Sequence, residues 1–282
     1  VTAVSLWAAL GLAGEATDAG APVRAPRTPI PGEAQCPPLG ALLKPLPLRQ
    51  GEVLDYDVDA VGARAGTLVM RTLAERPQGR WGVEVQVESN TFFSKVRRVK
   101  GSATSTLDAH TLRPLEYRET STENEVHRGA VVTYGPAHAV TLVSTTDGRS
   151  ATATYRWAND LSDVVGALPL LRSLPLKVGQ TVCFDAYGVR RLWRVWGTVV
   201  TREHVSLPVG EFDAWHLAGE AARLDNLEVR REIHLWVSDD ARRLPLAVVG
   251  SIDLGTVRAT LKGWSRPSEK GGRAEPRSNL TW

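Results

Sequence analysis

The stretch "GEVLDYDVDAVGARAGTLVMRT", residues 51–72, alternates apolar and acidic side chains and then closes on a glycine-punctuated apolar run. In an extended chain Leu54, Tyr56 and Val58 point one way and Asp55, Asp57 and Asp59 the other. The three carboxylates pose a choice between a metal loop and the wet face of a strand. Residues two apart on a strand lie about 6.7 Å apart, whereas calcium gathers six to eight oxygens at about 2.3–2.6 Å from a loop curled around it. An EF-hand loop starting at Asp55 would also need glycine where Ala60 stands and a carboxylate where Gly66 stands. The stretch therefore reads as a strand with one apolar face and one solvated face, its acids turned toward neighbouring arginines.

The same period recurs along the chain. Val83, Val85 and Val87 alternate with Glu84, Gln86 and Glu88; Ile233, Leu235 and Val237 with Glu232, His234 and Trp236; Val257, Ala259 and Leu261 with Arg258, Thr260 and Lys262. Turns are marked by "RPQGR", "TDGR", "LPVGEF" and "DDARRLP". The pattern predicts a mainly β fold, a large curved antiparallel sheet or open barrel with one covered face and one wetter face. One segment breaks the rhythm: "NDLSDVVGALPLLRSLPLKVGQ", residues 159–180. Asp160 can cap a short apolar helix with Asp163 in its first turn, and Pro169 should end or kink it, which predicts helix over about residues 160–171. Val164, Val165, Leu168, Leu170, Leu171 and Leu174 are apolar on nearly every side of it. The helix either seals one end of the core or forms a lid over a cavity in the curved sheet.

Around this domain, expected over residues 48–264, the ends differ in composition. Residues 1–19 hold an apolar stretch followed by small residues, a signal-peptide-like segment too short to span a bilayer, and export is the expectation. No transmembrane helix is predicted. Residues 20–47 carry eight of the 17 prolines and read as an extended tether; residues 265–282 are Pro-, Gly- and charge-rich and read as a flexible tail. The composition is that of an ordinary globular protein, 43% hydrophobic with a net charge of only +3. Basic residues are interleaved with acids and no binding motif is present, which argues against a nucleic-acid partner.

Only Cys36 and Cys183 occur, and their spacing excludes a zinc knuckle and a C-x-x-C redox pair. In an oxidising compartment they would form a disulfide stapling the tether to the domain; two unpaired thiols are the alternative, since sequence does not supply the distance between them. Among the histidines, His204 and His216 flank a hairpin. A four-residue turn over 208–211 would set His204 opposite Trp215 and Glu203 opposite His216, so the two rings fall on opposite faces and share no metal. His234, between Glu232 and Trp236, reads as a surface or cavity-lining group. No G-x-S-x-G, H-E-x-x-H, Walker or dinucleotide motif is present, and no catalytic residue, metal ligand or cofactor is assigned.

An ordered series of motifs resembles the exported bacterial family called domain of unknown function 3108. The pieces are "GEVLDYDV" with Gly66 after it, "STLDAHTLRPLEY" at 105–117, "DLS" at 160–162, "LPLLRSLPLKVGQ" at 168–180, "LPVGEFDAWHL" at 207–217 and "HLWVSDDARRLPLAV" at 234–248. The resemblance implies a signal-bearing envelope protein of long antiparallel strands, located in the periplasm or outer cell envelope, and brings no activity with it. A curved sheet with an apolar helix also resembles, more loosely, the lipoprotein-carrier folds of the bacterial periplasm. The first expectation is thus a non-catalytic exported protein binding a lipid or other apolar ligand, lined by Val164, Leu168, Leu171, Trp193, Trp196, Trp215 and Trp236. An envelope protein–protein interaction or assembly factor is the alternative, and an enzyme with an unrecognised site the third. An enclosed apolar cavity under residues 164–174 would favour the first reading and a solid core the second.

Overall fold

The computed structural model describes residues 36–73, 79–95, 97–156, 161–188, 191–252 and 255–266. The two-residue alternation is realised as strands: β1 (Val53–Ala60), β2 (Ala63–Thr72), β3 (Arg80–Ser89), β4 (Val99–Asp108), β5 (Pro114–Glu123), β6 (Val126–Tyr134), β7 (Ala139–Thr146), β8 (Arg149–Arg156) and β9 (Leu161–Asp163). After the helix α1 (Ala167–Arg172) come β10 (Thr181–Gly188), β11 (Arg191–Leu207), β12 (Gly210–Arg223), β13 (Asn226–Ser238), β14 (Pro245–Ile252) and β15 (Gly255–Ser265). All 15 strands form one sheet in the order β8-β7-β6-β5-β4-β3-β2-β1-β15-β14-β13-β12-β11-β10-β9. Neighbours pair antiparallel except β9 and β10, which are parallel. The sheet is rolled but unclosed. Its β9 end reaches the middle of the sheet, where the Ser105 hydroxyl on β4 donates to Asp163 Oδ2 at 2.6 Å, while β6 to β8 run on beyond that contact to an open edge.

In β1 the predicted faces hold: Leu54, Tyr56 and Val58 are buried and the aspartates lie on the other side. Asp57 pairs with Arg64 and, at 2.9 Å, with Lys262 Nζ. Its acidic neighbours are a strand face, and among the described residues no group of three or more His, Cys, Asp or Glu is disposed to hold a metal. Gly66 is required by close approach, since a Cβ there would stand 2.2 Å from the Glu88 carbonyl oxygen. One continuous core joins Leu68, Val85, Leu107, Tyr117, Leu217, Leu235 and Leu261 from the sheet to Val165, Leu168, Leu170 and Leu174 around α1.

The helical segment departs from expectation. It is shorter and later than residues 160–171, because residues 161–163 pair with β10 as a strand before the chain turns. Asp160 lies outside the described residues. Asp163 sits before the helix and accepts the Val165 and Gly166 amides at 2.9 and 2.7 Å. Pro169 neither ends nor kinks α1; it occupies the first turn, where a missing N–H leaves no hydrogen bond unmade. The hairpin between β11 and β12 also differs. Only Pro208 and Val209 separate the closing pair Leu207 and Gly210, so His204 faces Asp213, and Thr201 faces His216. The slip is two residues, which preserves the face of every side chain, and His204 and His216 remain on opposite sides.

Of the expected tether, residues 36–47 are packed, without helix or strand. Leu39, Leu42 and Leu46 lie against the core, and the Leu43 amide donates to the Ser173 carbonyl at 2.7 Å. The Cys36–Cys183 disulfide closes this segment onto β10 across 147 residues. The signal-like segment, the rest of the tether and the tail beyond Arg266 lie outside the described residues. Among the described residues no helix is long and apolar enough to cross a membrane.

Candidate docking groove

Of the residues expected to line one apolar cavity, all but Trp196 belong to or pack against the main core, Trp215 and Trp236 at its margin. Val164, Leu168 and Trp193 belong to the main core, and Leu171 packs at its margin. Trp196, three residues from Trp193 on the same strand, projects to the opposite face and is buried with Cys183 and Ala222 beneath Cys36. Trp215 donates its indole N–H to Asp239 at 2.8 Å. Trp236, opposite His216 and hence on the other face from Trp215, donates to Glu203 at 2.6 Å and stacks on His216 with centroids 4.3 Å apart. The four indoles do not converge.

Polar groups do gather inside. Asp163 is fully buried, and burial lifts its carboxyl to about 6 against the opposing hydrogen bonds from Ser105, Gly166 and Val165. Tyr117 packs edge-on to Tyr187 at 5.7 Å and donates to Glu119 at 2.7 Å; burial pushes the Tyr117 and Tyr134 phenols well up. The Asp163 contacts hold β9 and the turn into α1 to β4, and the tyrosine pair holds β10 to β5, a structural role.

An open groove of about 930 Å³ crosses β2 to β7. Its floor follows from register. Val69, Gln86, Ser102, Thr120, Gly129 and Thr145 stand opposite one another on successive strands, a single cross-strand row on the face away from Leu68, Val85 and Ala103. A second row two residues away runs Thr67, Glu88, Lys100, Thr122 and His127. The middle of the floor is low because its side chains are small: a Cβ on Gly129 would meet Thr145 Oγ1 at 2.7 Å. The hydroxyls are tied together, Ser102 to Thr120 at 3.1 Å and Thr122 to His127 Nδ1 at 3.0 Å. Lys100 and Glu88 approach to 3.7 Å on the rim. The lining is uncharged and hydrogen-bonding at its centre and carries both signs of charge at its edges.

Sequence reasoning did not single out this surface. Its signal is the run of hydroxyl residues in "SATSTLD", "ETSTE" and "VSTTDGRS", which register alone converts into a row. Beyond it lies the outer edge of β8, with which no described strand pairs and whose residues are exposed almost throughout.

A second cleft, of about 370 Å³, lies between the disulfide-anchored segment and the domain, lined by Leu39, Leu42, Leu112, Leu161, Leu170 and Phe184 among others.

A family model described as "Protein of unknown function (DUF3108)" matches residues 55–262. Among curated proteins none matches. A solved β-barrel-like protein of domain of unknown function DUF1849 from Brucella abortus superposes with a TM-score of 0.53 at 10% identity, over 77% of this chain and 98% of that one, and so shares the fold. A Bacteroides fragilis protein described as exported and YmcC-like gives 0.36 at 11% identity, over 80% of this chain and 100% of that one. A protein described as a lipoprotein, from Parabacteroides distasonis, gives 0.39 at 10%, over 80% and 100%.

Proposed function

The chain belongs to the DUF3108 family of proteins of unknown function, and from that premise we propose a non-catalytic protein of the bacterial envelope that docks an extended, polar segment of a partner protein. The observation that carries the reading is the 930 Å³ groove with its ordered row of small polar side chains. Six strands at about 4.8 Å spacing give it a length of about 24 Å, room for roughly seven extended residues. Hydroxyls and amides suit backbone groups, and the mixed charges at the rim give orientation rather than bulk affinity. The disulfide supports an oxidising location, as does the apolar stretch near residue 10. No cofactor is needed.

The test is a photo-reactive side chain at Thr120 in intact cells, with Arg258, exposed elsewhere on the sheet, as control. A discrete protein adduct from Thr120 alone is expected. Absence of any adduct from the groove overturns the reading.

The 370 Å³ cleft favours a second reading, a site for a small lipid or other apolar ligand. Gly40 lines this cleft and has nothing within 4 Å of where a Cβ would stand. Gly40→Trp should therefore abolish binding of a fatty acid or hydrophobic dye without loss of fold. Wild-type protein that binds neither probe at tens of micromolar ends this alternative.

A further inference from the structure

The outer face of β12 and β13 holds two histidines as diagonal neighbours, since His216 stands opposite Trp236, and His234 opposite Ala218. His216 Nε2 and His234 Nδ1 are 2.9 Å apart. Each ring turns its distal nitrogen to a carboxylate. His234 Nε2 is 2.9 Å from Glu232 Oε1, and His216 Nδ1 is 3.6 Å from Glu203 Oε1. Glu203 is itself fixed by the Trp236 indole N–H, and that indole stacks on His216. The side chains of His216 and His234 are 16% and 26% exposed, so both rings are partly open to water.

We propose that this pair is a transition-metal site of the copper(II) class, independent of the docking groove. Two nitrogens at this separation subtend about 90° at an ion about 2.0 Å from each, the angle between neighbouring ligands of a tetragonal ion rather than a tetrahedral one. Imidazole suits such ions, and copper(II) tops their affinity order. The protons balance. With the Nε2 proton of His234 on Glu232, its Nδ1 is a lone pair and the proton between the rings is carried by His216; on binding, that proton moves from His216 Nε2 to Nδ1, toward Glu203, and frees Nε2. Each ligand then carries the carboxylate partner that orients metal-bound histidines, and the partly exposed His234 ring has only to tip outward for both lone pairs to converge. Water fills the remaining positions.

The experiment titrates copper(II) into the full untagged chain at pH 7.5, read by tryptophan fluorescence and by electron paramagnetic resonance. One equivalent should bind at micromolar concentration, quench Trp236 and show nitrogen coupling. His216→Asn and His234→Asn should each weaken binding at least tenfold, and Glu232→Gln, which leaves both rings in place, several-fold. Wild-type protein that does not bind at 100 μM, or copper held equally well by both histidine variants, overturns the site.

Discussion

Arg172 Nη1 donates to Glu52 Oε2 at 2.7 Å, with both side chains 1% exposed and a sequence separation of 120. The guanidinium also donates to the carbonyls of Arg242 and Arg243 at 3.0 and 2.8 Å, and Arg266 reaches the same carboxylate at 2.7 Å. The buried Arg172–Glu52 pair thus joins α1, the entry to β1 and the turn before β14, and through Arg266 the exit from β15. Removing Arg172 leaves Glu52 to Arg266 alone and takes this donor from the Arg242 and Arg243 carbonyls. Arg172→Met should cost about 3–5 kcal/mol of stability, and Arg172→Met with Glu52→Met should recover part of it. Urea midpoints decide; a loss below about 1 kcal/mol would show that Arg266 alone satisfies Glu52.

The Cys36–Cys183 bond should contribute about 2–4 kcal/mol, since it restricts the unfolded chain. Thiol titration of unfolded, unreduced protein is expected to find no free sulfhydryl, and Cys36→Ser to lower the melting temperature. Two titratable thiols would refute the pairing.

The Asp163 carboxyl stands near 3.8 in an unfolded chain and is lifted by burial to about 6 in the folded one. Between those values the folded protein holds a proton the unfolded chain has released, so this group's stabilising contribution is complete below pH ~4 and lost as pH rises through about 6. Asp163→Asn keeps an oxygen for the Val165 and Gly166 amides and removes the charge. Relative to wild type it should gain stability from pH 4 to pH 8, by about 3 kcal/mol at most. A difference that stays flat across that range would place the carboxyl at an ordinary value.

Leu168 is 9% exposed and lies in the main core. Leu168→Asp is expected to unfold the domain, since an unpaired buried carboxylate costs several kcal/mol. Circular dichroism beside dye binding distinguishes this from a cavity-lining role, in which the variant would stay folded and lose only the ligand.

The residues of β1 show how much of the architecture is local. Alternation of Leu54, Tyr56 and Val58 with three aspartates specifies strand and face together, because side chains on an extended chain project with period two whatever that chain pairs with. The same rule recovered the opposite faces of His204 and His216 although the predicted turn was two residues too long, since an even slip preserves parity. Pairing and register lie beyond it. Ser102, Thr120, Gly129 and Thr145 become a groove floor only when four strands align, and a bulge between Ala222 and Arg223 shifts the register that leads to His216 and His234. The apolar segment near α1 was legible as buried, but its neighbours were not. Asp163 meets Ser105 across 58 residues and Arg172 meets Glu52 across 120, contacts that exist because the rolled sheet brings its β9 end, with α1 beside it, onto its middle. The tryptophans expected to share a cavity were separated for the same reason: equal hydrophobicity places a side chain out of water, and only the register of the strand beneath it decides on which side.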